Sequence, residues 1–342
     1  MELQNLGWNG FFAVQECPGI PARVASASRD RFIVWTERGE FEAVVSGELR
    51  HSGTTWPAVG DWVALRPGTT VIEHVLERRT LLSRKQPGKP IQEQVLAANI
   101  DALFIVTGID HDFNERRLER YLVIAEQSGA RPIVLLNKAD LAGALGLVLY
   151  HLIDRLRASS GVPVLPISAM SGDGLQSIEA QISQGETAAL IGSSGVGKST
   201  LVNRLRGSNC QATADVLSYD DRGRHTTTAR SMFLMPGGWF LIDMPGLREV
   251  QLWAAPDHLD STFDDILAVA QGCRFRDCTH SGEPGCAITE SAIDPARLDN
   301  YRKLQRELDY LDRKADKRLM SESRARWKVI HKAMRHHPKN QW

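Results

Sequence analysis

No apolar run in the 342-residue sequence reaches the roughly 18 residues that a helix needs to cross a bilayer. The longest candidate, ALGLVLYHLI from Ala144 to Ile153, has the length and content of a buried helix. The opening MELQNLGWNG has neither a basic n-region nor an apolar h-region, which argues against a secretory signal. Cysteine is scarce, with five in all, and three of them crowd into one short stretch. That distribution argues against a disulfide framework and for reduced thiols with a metal site. Net charge is lacking too, with 41 Lys+Arg against 41 Asp+Glu, but it is unevenly spread. From Tyr301 to Trp342 thirteen basic residues stand against five acidic ones, and such a basic tail suggests a polyanionic partner. The expected compartment is the cytoplasm, the expected state a monomer, and neither membrane nor DNA is an expected partner.

What is present is length enough for two or three cores. Residues 1–95 read as short alternating strands, ARVASAS, DRFIVWTE, EAVVSGEL, VGDWVAL and TTVIEHVLE, broken by Gly, Asp and Pro. Five strands in this length fit a small OB-type barrel, either an oligonucleotide binder or a structural module. RRTLLSRKQPGKP (Arg78 to Pro90) reads as a basic connector. From 96 to 250 the pattern changes to buried strands (DALFIVTG, RPIVLLNKAD, VPVLPISA, TAALIG) alternating with helical stretches, followed by the strand pair SMFLMP and WFLIDMPG. Alternation of that kind means a doubly wound α/β sheet. Residues 251–342 read as helices, a cysteine knot and a long charged tail.

Gly192, Gly197, Lys198 and Ser199 satisfy G-x-x-x-x-G-K-[ST] between a strand and a helix, the context a phosphate loop requires. The glycines let backbone N–H groups converge on phosphate oxygens, and the helix N-terminus adds positive potential. Lys198 reaches the β- and γ-phosphates, and Ser199 offers its hydroxyl to Mg2+. Asp243, ending an apolar strand in DMPG, fits the magnesium shell, and Gly246 lets its N–H approach the γ-phosphate. NKAD chooses the base. Asp140 offers a carboxylate to the two N–H donors that guanine has and adenine lacks, Asn137 supports the base edge and Lys138 covers the ring. Ser168 and Ala169, in SAM, are placed to touch the guanine carbonyl. In GRHTTTAR a threonine, Thr227 or Thr228, completes the magnesium shell. Leu247 stands after DMPG where many GTPases carry a water-orienting glutamine. His225 is the candidate for that work, or else a loop surface residue. Cys273, Cys278, His280 and Cys286 make a closed, structural zinc site. In the tail, Arg324, Arg326, Trp327, Lys328 and Lys332 suit either a solvated helix or contact with RNA phosphate.

The order of these motifs is unusual, because NKAD and SAM precede the phosphate loop, HTTT and DMPG. The chain resembles the circularly permuted GTPases, and among them the bacterial ribosome small subunit-dependent GTPase A family. The resemblance implies an N-terminal OB barrel, a permuted G domain and a C-terminal helical zinc domain with Cys-Cys-His-Cys ligands. The G domain is cut open between the DMPG and DALFIVTG strands, its original ends joined near Gln184. The resemblance implies phosphate-loop roles for Gly192, Ser193, Ser194, Gly195, Val196, Gly197, Lys198, Ser199 and Thr200, base reading by Asn137, Lys138 and Asp140, and a catalytic role for His225. It also implies a factor that binds the small ribosomal subunit, with its 16S rRNA and proteins, late in assembly. GTP would be hydrolysed to GDP in response to the subunit, favouring release.

Overall fold

Alternating apolar residues fold as half-buried strands wherever one face meets a core. A computed structural model of the chain describes residues 2–28, 30–51, 55–85, 93–207, 230–244 and 256–311. In it β1 (Ile20–Ser28), β2 (Arg31–Thr36), β3 (Gly39–Val45), β4 (Trp62–Leu65) and β5 (Val71–Val75) close on themselves in the order β1-β2-β3-β5-β4, with β4 returning to β1. Only the β3–β5 pairing is parallel within this barrel. Its interior is Ala22, Val24, Phe32, Val34, Ala43, Val63 and Ile72. One element departs from expectation: the GEL of EAVVSGEL is not strand but a helical turn, α2 (Gly47–His51), which follows the short α1 (Gly10–Ala13) that precedes the barrel. The Ser46 hydroxyl accepts the Leu49 N–H at 3.1 Å, and Glu48 in the first turn and Arg50 in the last suit a helix dipole. The basic connector is likewise more ordered than expected, since β6 (Leu81–Lys85) pairs with β7 (Glu93–Ala98) as a two-stranded ribbon.

The second half of the sheet is parallel. β8 (Ala102–Gly108), β9 (Arg131–Asn137), β10 (Val164–Pro166), β11 (Thr187–Gly192) and β13 (Phe240–Asp243) lie in the order β10-β9-β8-β11-β13, with β12 (Arg230–Leu234) antiparallel at the end. β8 and β11 are buried at every position, as continuous apolar runs demand. β11 thus sits between β8, which precedes it in sequence, and β13, which follows it. Helices cover the sheet: α3 (Glu115–Ser128), capped by the Asn114 side chain and closed by left-handed Gly129, then α4 (Leu149–Ser160) and α6 (Lys198–Arg206). α5 (Gln176–Glu179) is a single turn, and residues 180–186 carry the chain from it directly into β11.

Barrel and parallel sheet are one hydrogen-bonded surface. Past a bulge at Val24–Ser26, β1 pairs with β12 through Ser26↔Ser231. This explains why Arg23, pointing away from the barrel interior, is only 2% exposed. Its guanidinium donates to the Leu6 carbonyl and, at 2.6 Å, to the Thr187 hydroxyl. It also lies 5.1 Å from the Phe240 ring centre and 5.8 Å from that of Trp62.

Contacts divide the chain into two compact units, Met1–Arg84 with Gln94–Gln251, and Lys85–Glu93 with Leu252–Trp342. In the second, helices Pro256–Thr262, Asp264–Ala270 and 295–311 surround Leu259, Phe263, Ile266, Leu304 and Leu308. Arg297 holds Asp265 with both prongs, at 2.8 and 2.9 Å, and covers the Phe263 ring. Among the described residues no helix is long and apolar enough to cross a membrane.

Candidate active site and metal centre

In a parallel sheet the loops after the strands gather at one edge, where ligands bind. Here the loops after β9, β10 and β11 and the end of β13 carry the motifs singled out above. Gly192 ends β11 with a β-carbon position 2.3 Å from the Val106 carbonyl oxygen, so no side chain fits. Val196 is buried while Ser194, Gly195, Ser199 and Thr200 are exposed. Gly197 (φ 99°) opens α6 without any side-chain cap. Gly197 thus offers no side-chain cap to the first N–H groups of α6, the kind of helix start that suits an anion. The Lys198 ammonium lies over the loop, donating to the carbonyls of Gly192 (2.8 Å) and Ser193 (2.6 Å). Burial pulls its pKa down, against the opposing charges of Asp243 and Asp112. Asp243, half-buried at the end of β13, is pushed up by burial and held back chiefly by Lys198. A serine hydroxyl and a carboxylate beside a phosphate cradle are the hard oxygen donors that magnesium prefers.

The base-reading residues meet the phosphate loop directly. Asn137, 2% exposed, donates its amide N–H to the Val196 carbonyl at 2.8 Å and accepts the Ala169 N–H at 2.9 Å. One side chain thus joins NKAD, SAM and the phosphate loop. Ser168 is fully buried, its hydroxyl accepting the Ser171 N–H at 3.1 Å. Lys138 adopts φ 65° and ion-pairs with Asp110 at 2.7 Å. Asp140 follows in a short turn, exposed at the rim. His225, Thr227, Thr228, Gly246 and Leu247 lie outside the described residues, as do Arg324, Arg326, Trp327, Lys328 and Lys332.

Three contributors carry no signature in the motifs. Asp112 accepts the Ser193 hydroxyl and pairs with Arg117 at 2.9 Å. Asp110 holds Lys138. Arg204, two turns into α6, donates to the carbonyls of Ala169 and Met170 and so ties SAM to the phosphate-loop helix. The recurrence of acids in GIDHDF just after a buried strand was the available clue.

In the second unit Cys273, Cys278, His280 and Cys286 come together as expected, with their ligand atoms all within 4.8 Å of one another. His280 Nδ1 lies 3.5 Å from the Cys273 sulfur and 3.6 Å from that of Cys286. A tetrahedral ion with ordinary zinc–sulfur and zinc–nitrogen bonds would separate such atoms by about 3.6 Å, so the group can hold a metal. Glu283 organises the knuckle by accepting the N–H groups of Thr279 (3.0 Å) and Ser281 (2.7 Å). Those bonds, led by one from the Thr279 hydroxyl, draw its carboxyl down to about 2.

Comparison with known proteins agrees with this geometry. The family model described as RsgA GTPase matches residues 75–253. The Small ribosomal subunit biogenesis GTPase RsgA of Opitutus terrae is 43% identical, over 98% of this chain and 97% of its own length. The protein of the same name from Methanosarcina acetivorans is 42% identical over 91% of this chain and 86% of its own. Among solved structures, YjeQ from Thermotoga maritima aligns with a TM-score of 0.62 at 25% identity, covering 84% of this chain and 98% of that one. YloQ, whose structure is titled a circularly permuted GTPase, aligns with a TM-score of 0.58 at 22% identity, and so supports the fold. It covers 89% of this chain and 98% of that one.

Proposed function

Because the chain belongs to the RsgA GTPase family, we propose that it hydrolyses GTP as a biogenesis factor of the small ribosomal subunit. The observation that carries the reading is the Asn137 side chain, which joins the base-reading loops to the phosphate loop at the sheet edge. Lys198 and the N–H groups opening α6 bind the phosphates and neutralise charge that develops as the γ-phosphoryl group leaves. Asp140 reads the guanine donors, and Asn137, Ser168 and Ala169 hold the pocket's shape around the base. Ser199 and Asp243 would hold Mg2+, with Thr227 or Thr228 completing the donor set, and the ion would supply positive charge to offset that of the phosphates. His225 orients the attacking water, a role that Leu247 has no group to perform. Cys273, Cys278, His280 and Cys286 bind one structural zinc.

The protein acts as a cytoplasmic monomer on RNA and protein of the subunit, through 16S rRNA contacts that include the basic tail. Gradient cosedimentation tests the partner. With a non-hydrolysable GTP analogue the chain travels with purified small subunits and not with large ones, and GDP releases it. Equal distribution between the two subunits, or retention unaffected by nucleotide, would overturn this reading.

A further inference from the structure

The loop after β8 sends two acids to opposite ends of the nucleotide cradle. Asp110 Oδ2 accepts the Lys138 ammonium at 2.7 Å, with the side chains only 14% and 27% exposed. Asp112, two residues on, takes the Ser193 hydroxyl and Arg117. The first contact is built, not incidental. A β-carbon on Gly108 would stand 2.6 Å from Asp110 Oδ1, so glycine there lets the carboxylate fold back toward Lys138. Lys138 holds a left-handed backbone, a conformation that a lysine keeps only where its surroundings enforce it. The lysine hydrogen bond holds the Asp110 carboxyl below its ordinary range, so it stays ionised under working conditions. A lysine stem is otherwise among the most mobile of side chains.

We propose that Asp110 is a positioning residue for the guanine base: by anchoring the Lys138 ammonium it lays the lysine stem out as an ordered apolar rail for the ring. Asp112 does the corresponding work for the phosphate loop through Ser193. One loop thereby pre-orders both ends of the cradle, and less entropy is lost when nucleotide binds. The inference rests on a guanine nucleotide occupying this site. ADP competing as well as GDP against the wild-type protein would remove that premise and leave the coupling described next untouched.

The test is a set of three double-mutant cycles on GDP affinity, read by fluorescent-nucleotide titration of the full chain. Asp110→Asn and Lys138→Met each raise the GDP Kd about tenfold, equivalent to about 1.4 kcal/mol. The double variant is no weaker than Lys138→Met alone, because the acid acts only through the lysine. Asp112→Asn adds to Lys138→Met independently and couples instead to Ser193→Ala. Asp110→Glu recovers part of the loss. Additivity of Asp110→Asn with Lys138→Met overturns the proposal. So does coupling of Asp112→Asn to Lys138→Met as strong as that of Asp110→Asn, since the loop would then be a common scaffold. Failure of Asp110→Asn to fold overturns it as well.

Discussion

The side-chain amide nitrogen of Asn137 lies 2.5 Å from the point where a β-carbon on Gly197 would stand. The residue that joins the two halves of the site therefore occupies the space that the phosphate-loop glycine leaves open. Glycine at 197 serves two ends at once, its positive φ and this close approach.

Gly197→Ala should consequently be costly in two ways. The left-handed backbone alone costs about 1–2 kcal/mol for a residue with a side chain, and the methyl group must also push Asn137 off Val196. GDP affinity falls by at least about tenfold while the rest of the fold persists, as judged by circular dichroism. Wild-type affinity in this variant would mean that the Asn137 contact is dispensable.

Asn137 itself can be probed by comparing alanine with aspartate. Alanine leaves the Val196 carbonyl and the Ala169 N–H without their partner, at about 1–3 kcal/mol for each buried group. Aspartate keeps the bond to Ala169 but sets a carboxylate oxygen against the Val196 carbonyl. Nucleotide dissociation, followed by stopped flow, should be faster in both variants and fastest in Asn137→Asp despite its nearly identical shape.

Arg23→Lys tests the joint between barrel and parallel sheet. Lysine keeps the charge but has no fork to reach both the Leu6 carbonyl and the Thr187 hydroxyl, and stacks poorly between Trp62 and Phe240. At least one lost hydrogen bond, together with the lost ring contacts, implies about 1 kcal/mol or more, seen by calorimetry as a lower Tm of the first unit. An unchanged Tm would show that the buried guanidinium is replaceable there.

Removal of the metal should act on the second unit alone. A strong chelator at neutral pH releases a single zinc equivalent, detected with a chromogenic dye. Amides in 256–311 then lose protection from hydrogen exchange, while those of β8, β9 and β11 keep it. Folding energy in so small a module comes largely from the ion. Release without loss of protection would make the metal incidental.

Much of this organisation could be read from residue order. The apolar runs of β8, β9 and β11, the glycines around Lys198 and the spacing of Cys273, Cys278, His280 and Cys286 are local signals, and local chemistry determines them. Contacts between distant segments were not legible. The β1–β12 pairing joins Ser26 to Ser231, and nothing in either strand names its partner. Periodicity favoured a strand over Gly47–Leu49, but the serine cap one residue earlier carries more weight than a three-residue alternation, and the segment is a helical turn. Asn137 was expected to support the base edge; that its amide also binds Val196 and Ala169 depends on where two loops end in space. Asp110, Asp112 and Arg204 belong to no motif, and their partners lie 28, 81 and 35 residues away in sequence.

Steady-state GTP hydrolysis by the full-length chain, with and without purified small subunits, bears most directly on the central claim. Small subunits should raise turnover by an order of magnitude or more, as completion of a GTPase site by a partner does. Large subunits should leave it unchanged, and Lys198→Ala should abolish the stimulated rate. Turnover that is the same with small subunits, with large subunits and with neither would contradict the account.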